Sequence, residues 1–101
     1  MWLFAMFDLP VDTRQARREY ARFRKALIAD GFTMLQYSVY ARYCATEEGS
    51  LVHRKHVQDA LPPSGQVRLL SVTDRQFGKM QVFFGKSRQP VEDPPVQLLL
   101  F

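Results

Sequence analysis

Hydrophobic residues open the chain without a break: residues 2–7 read WLFAMF, and Asp8-Leu9-Pro10 ends the run. A short continuous apolar run suits a central strand covered on both faces. Pro10 has no N–H for a ladder, so the strand stops near Asp8. The period then changes. Over residues 13–30, Ala16, Tyr20, Phe23 and Leu27 fall within an arc of roughly 60° on a helical wheel. Arg14, Arg18, Arg22 and Lys25 fall within about 80° on the opposite side. Asp12 or Thr13 can cap this helix, and Gly31 can end it. Residues 32–43 (FTMLQYSVYARY) are rich in β-formers and long enough for two short strands bending near Tyr37-Ser38. Alternation puts Val39, Ala41 and Tyr43 on one face, with Ser38, Tyr40 and Arg42 on the other.

The second half repeats this sequence of elements. Thr46, Glu47 and Glu48 favour a helix start by capping and dipole, and Pro62-Pro63 closes the segment 46–61. Its apolar face, Val57, Ala60 and Leu61, is narrow, and Gly49 weakens it. Residues 66–73 (QVRLLSVT) predict a strand, 74–79 a turn and 80–84 another strand. Residues 85–95 (GKSRQPVEDPP), with three prolines, read as a linker, and the chain ends in VQLLLF. The order strand, helix, strand, strand, helix, strand is the split βαβ, ferredoxin-like pattern, an α+β class. It predicts a domain over residues 1–84, and a linker with an extra C-terminal strand over 85–101. The fold hosts many functions and assigns none.

Charge narrows the partners. The formal net charge is +4 and the pI about 9.6. Residues 12–30 carry six cations against Asp12, Glu19 and Asp30, so this segment holds +3 of the total. Five of the six cations are Arg, the better residue for bidentate phosphate contacts. None of the three acids falls within the basic arc. That face reads either as a track for a phosphate backbone or as an ordinary solvated helix face. The single cysteine, Cys44, excludes an internal disulfide framework and suits a reducing cytoplasm. The apolar N-terminus lacks a basic leader and is too short to span a membrane. Aromatic residues make up 13% of the chain, rich for so small a core, so some of the rings are expected in an oligomer interface.

Three groups carry candidate chemistry. Asp8, an acid at the tip of a central strand, suits a divalent cation if a two-fold axis supplies a second carboxylate; taken alone it more often marks an Asx-type turn before Pro10. His53 and His56 are three apart on a helix, but zinc takes three or four ligands, and Cys44 is the only obvious helper. Tyr37, Tyr40 and Tyr43 suit either base stacking or packing in a core or interface. There is no Gly-rich phosphate loop, catalytic triad or zinc-finger spacing.

Taken together, Asp8 in MFDLP, the Arg-rich helix after it, GFTMLQYSVYAR at 31–42 and GQVRLLSVTDRQFGKM at 65–80 resemble the CRISPR-associated endoribonuclease family. That family is the smaller of the two core spacer-acquisition proteins, and the likeness is greatest to members from type II systems. It covers residues 2–85 well and the tail loosely. It implies a ferredoxin-like two-fold homodimer that bridges dimers of the larger Cas integrase and supports a protospacer duplex, double-stranded DNA, through backbone contacts. It also implies Mg²⁺- or Mn²⁺-dependent cleavage of RNA or DNA in some members, with Asp8 of each protomer facing the other as the metal-binding, catalytic acid. Arg14, Arg17 and Arg18 carry over as nucleic-acid contacts, and Arg22 and Lys25 extend their row. Tyr40, where many relatives have Phe, carries over as an active-site or interface residue. Three readings follow: a bridge that binds duplex DNA, a metal-dependent endoribonuclease, and, from another class, a single-strand RNA reader of the RRM type. SVYARYC lacks the glycine pattern of that last class. The tail VQLLLF is expected to add a strand to the partner's sheet edge, since a linker of eleven residues reaches over about 30 Å when extended at about 3.3 Å per residue.

Overall fold

A computed structural model describes residues 1–95 of the 101-residue chain. The predicted strand across 96–101 lies outside the described residues. The elements run β1 (Trp2–Asp8), α1 (Arg14–Ala29), β2 (Thr33–Gln36), β3 (Val39–Tyr43), α2 (Glu47–Asp59), β4 (Gln66–Val72), α3 (Asp74–Gly78), β5 (Val82–Phe84) and β6 (Ser87–Gln89). The first four strands form one antiparallel sheet in the order β2-β3-β1-β4. With α1 and α2 as the two crossovers, this is the ferredoxin-like arrangement expected from the order of elements. No helix among the described residues is long and apolar enough to cross a membrane.

Local chemistry explains the boundaries. Thr13 caps α1, its Oγ1 accepting from Ala16 N at 3.0 Å, and Thr46 caps α2 in the same way from Gly49 N at 2.9 Å. After α1, Gly31 takes a left-handed φ of +90°, the usual exit from a helix. The Arg42 side chain packs on Gly31, where a Cβ would lie 3.1 Å from Arg42 Nε. The break expected at Tyr37-Ser38 is a two-residue turn in which Ser38 has φ +64°.

The sheet separates two apolar clusters. Leu3, Ala5, Phe7 and Tyr40 meet Phe23 and Leu27 of α1 and Val57 of α2 on one face. On the other, Trp2 and Ala41 meet Phe77, with Phe4, Tyr43, Met80 and Val91 around them. Trp2 and Phe77 stack with centroids 4.1 Å apart. The alternation read from residues 38–43 therefore holds: Tyr40 and Arg42 turn to the helices, Ala41 and Tyr43 away from them.

Two segments differ from expectation. Residues 74–79, predicted as a turn, contain the helical turn α3, because Thr73 and Gln76 form a reciprocal capping box. The strand expected over 80–84 is present as β5, but the start of the predicted linker is a second strand, β6, paired with it around Gly85 at φ +62°. Three-residue strands are too short to show a period, so composition dominated that reading.

Candidate functional site

Asp8 ends β1 and is exposed. Strand alternation puts it on the face opposite α1 and α2, in line with Met6, Phe4 and Trp2. Cross-strand register sets Gln66 beside Asp8, Arg68 beside Met6 and Leu70 beside Phe4. Gln66, Arg68 and Leu70 are all exposed, whereas Val67 and Leu69 between them pack on the helix side. The face is thus divided. Its Trp2 end is closed by Phe77, while its Asp8 end is open, with an acid, a cation and apolar side chains together.

The main chain around Asp8 is closely constrained. Phe7 N donates to Ser38 O at 3.0 Å, and Leu9 is buried immediately after the acid. Gly65, at φ +96°, lets the α2–β4 turn approach. A Cβ there would lie 2.8 Å from the Asp8 carbonyl oxygen and 2.6 Å from Leu9 Cδ2. The loop into α1 is fastened by Arg17, whose Nη1 donates to Val11 O at 3.1 Å, and by the Thr13 cap. The Asx-type turn weighed for Asp8 would need its carboxylate to accept from a main-chain N–H, and no such hydrogen bond forms among the described residues.

The α1 cations lie on the other side of the sheet. Arg14, Arg17, Arg18, Arg22 and Lys25 are all exposed. Two of them have internal partners. Arg17 clamps the β1–α1 loop, and Arg22 Nη2 lies 2.9 Å from Glu19 Oε2, an ion pair without hydrogen-bond alignment. Glu19 lies outside the basic arc, but it is one turn back from Arg22 and its flexible side chain crosses to it. Arg14, Arg18 and Lys25 make no such contact among the described residues. Arg24, outside the arc, donates from Nε to Tyr40 Oη at 2.8 Å.

Tyr40 is not beside Asp8. It is 1% exposed, stacked against Phe7 with centroids 5.6 Å apart, and its hydroxyl accepts from Arg24. The register explains this: Tyr40 pairs with Ala5, whose side chain is on the helix face. Tyr40 thus packs the core and anchors an arginine, and the fold does not bring it to Asp8. Tyr37 is exposed and stacks on Tyr20 at 6.0 Å. Tyr43 is half-buried against Trp2, and burial, with Asp74 nearby, raises the pKa of its phenol.

The histidines acquire a partner the sequence did not suggest. His53 and His56 meet Asp30, the C-cap of α1, rather than Cys44. Cys44 is buried, and burial pushes its thiol pKa up, the opposite of what a thiolate ligand requires. Arg68 was also missed as a site residue. Its signal was the alternation within QVRLLSV, which puts it two residues from Gln66 on the same face.

A stacking platform of the RRM type would need aromatic rings exposed on the central strands. Here Trp2 is covered by Phe77, Phe4 packs against the same ring at 5.9 Å, and Tyr40 is inside the core.

Comparison with known proteins agrees with the geometry. A family model described as CRISPR associated protein Cas2 matches residues 1–80. A protein of Parvibaculum lavamentivorans named CRISPR-associated endoribonuclease Cas2 is 56% identical over 101 residues, all of both chains. Proteins of the same name from Flavobacterium psychrophilum and Lacticaseibacillus rhamnosus are each 43% identical. The first alignment covers all of this chain and 88% of the relative, the second 92% of each. The matched region runs from the Asp8 strand through α3, so the fold, the strand-tip acid and the basic helix all lie within it: the chain belongs to the CRISPR-associated Cas2 family.

Proposed function

We propose that the chain acts in spacer acquisition as a two-fold homodimer that bridges dimers of the Cas integrase and holds duplex DNA by its backbone. The observation that carries this reading is the exposed row Arg14, Arg18 and Lys25 on α1. Such a row neutralises phosphates without reading bases. In a dimer built on the open end of the sheet face, the helices remain outside, so each protomer presents its own row. Leu70, about half exposed on β4 and paired with Phe4, supplies apolar surface for that contact.

The test is electrostatic. Arg14→Ala with Arg18→Ala should weaken duplex binding to a similar degree for all sequences. The slope of log affinity against log salt should fall by about one for each lost contact. An unchanged slope in the double variant would return the row to a solvated surface.

A second reading, metal-dependent endonuclease action on RNA or DNA, is favoured by the exposed Asp8 carboxylate with Arg68 on the same face. The donor chemistry suits a hard cation, because Mg²⁺ and Mn²⁺ take oxygen ligands and Mg²⁺ is often bound by only one or two carboxylates. Asp8 of each protomer would hold the ion, which when bound activates water or stabilises a leaving oxygen. The chain's own contribution is placement. The Gly65 turn and the buried Leu9 hold the Asp8 backbone, and Arg68 provides a positive charge for a phosphate approaching that face.

A further inference from the structure

Away from Asp8, Asp30 at the C-cap of α1 faces two imidazoles one turn apart on α2. Asp30 Oδ2 lies 3.0 Å from His53 Nδ1, and Asp30 Oδ1 lies 2.7 Å from His56 Nδ1. The three ligand atoms all fall within 4.8 Å of one another. His53 and Asp30 are largely buried, with side chains 15% and 16% exposed, whereas His56 is 50% exposed. Both histidines present Nδ1 to the same carboxylate, so three donors converge on one small volume with a single side open to solvent.

The backbone beneath the carboxylate is held firmly. Asp30 N donates to the carbonyls of Ala26 and Leu27, each at 3.1 Å. Its carbonyl accepts from Arg42 Nε at 2.7 Å, and Arg42 in turn packs over Gly31. The imidazoles come from the well-formed middle and last turn of α2, where the i, i+3 spacing puts both on one face.

We propose that Asp30, His53 and His56 form a binding site for a borderline divalent transition ion of the zinc type, joining the end of α1 to α2. Two imidazoles and a carboxylate are the donors such an ion prefers, whereas Mg²⁺ favours oxygen alone. In a tetrahedral zinc site, ligand atoms sit roughly 3.3 Å apart, given metal–ligand bonds near 2.0 Å. The two carboxylate–imidazole contacts, now 3.0 and 2.7 Å, lengthen to about that spacing when the ion enters between them. Binding replaces the carboxylate–imidazole contacts with bonds to the ion, and a water takes the open fourth position beside His56. The site shares no residue with the Asp8 face and does not depend on the bridging or nuclease readings.

The chain contains only two histidines, and both are in this cluster, which makes the test direct. Chelator-treated full-length protein is titrated calorimetrically with zinc chloride in excess Mg²⁺. One zinc per chain at micromolar or tighter affinity is expected, together with a shift of both imidazole signals by NMR and a rise in melting temperature. His56→Ala, at a half-exposed position that leaves the core untouched, should weaken binding at least tenfold, and Asp30→Asn should do the same. Asp8→Asn should leave zinc affinity unchanged. The proposal is overturned if the wild type takes up no zinc at millimolar concentration, if His56→Ala binds as tightly as wild type, or if Asp8→Asn alone abolishes binding.

Discussion

At the scale of single residues, Asp8 and Gly65 divide the work of the strand tip. Asp8 supplies the charge; Gly65 supplies the space that lets the α2–β4 turn lie against it. Any Cβ at Gly65 must adopt φ near +96° and meet the Asp8 carbonyl oxygen at 2.8 Å. Gly65→Ala is therefore expected to cost about 1–3 kcal/mol of stability, the range for a strained left-handed residue, with the backbone contact as the further penalty. Urea denaturation measures it, and a loss under 0.5 kcal/mol, the size of an ordinary surface substitution, would mean the turn relaxes freely. Asp8→Asn should behave in the opposite way. The side chain is exposed and makes no internal hydrogen bond among the described residues, so melting temperature and duplex affinity should stay at wild-type values. Any Mg²⁺- or Mn²⁺-dependent cleavage should disappear. Full cleavage by the pure variant would take Asp8 out of the nuclease reading.

At the scale of elements, α3 is the piece whose role exceeds its length. Its five residues carry Phe77, 2% exposed, onto the Trp2 ring, and this stack closes half of the sheet face that would otherwise be open. Phe77→Ala removes a buried ring and exposes Trp2. The expected loss is about 3–5 kcal/mol, with a red shift in fluorescence from Trp2, the only tryptophan in the chain. Unchanged emission would show that another group covers Trp2. The larger elements were legible from their patterns. Ala16, Tyr20, Phe23 and Leu27 gave α1 its inward stripe, and the Thr13 and Thr46 caps gave α1 and α2 their starts. Of the small ones, β5 lies within the strand read at 80–84, but α3 and β6 are too short for a period to repeat. For α3 the Thr73-x-x-Gln76 spacing was the available signal, a capping box without an apolar run behind it.

At the scale of the whole molecule, the protein has a helix-covered face, basic on its outer side, and a sheet face with one open end. Exposed rings at Tyr37, Phe83 and Phe84 match the surplus of aromatics over what a small core needs. If residues 96–101 pair with a second copy, a chain ending at Pro95 should dissociate to monomers at micromolar concentration in sedimentation; a dimer of unchanged affinity that also binds duplex unchanged would remove the tail from the interface. The sequence by itself determined the order of the first four strands and two long helices, the basic stripe and the position of Asp8 at a strand tip, because each follows from local periodicity, capping and turn chemistry. Only the tertiary structure decided what those residues meet. The register of β4 on β1 put Arg68 on the Asp8 face, and the pairing of Tyr40 with Ala5 sent that ring into the core. The packing of α1 beside α2 brought Asp30 to His53 and His56, which are 23 and 26 residues away in the chain. A periodic pattern specifies which side of an element faces inward; which side chains share a site depends on how the elements pack.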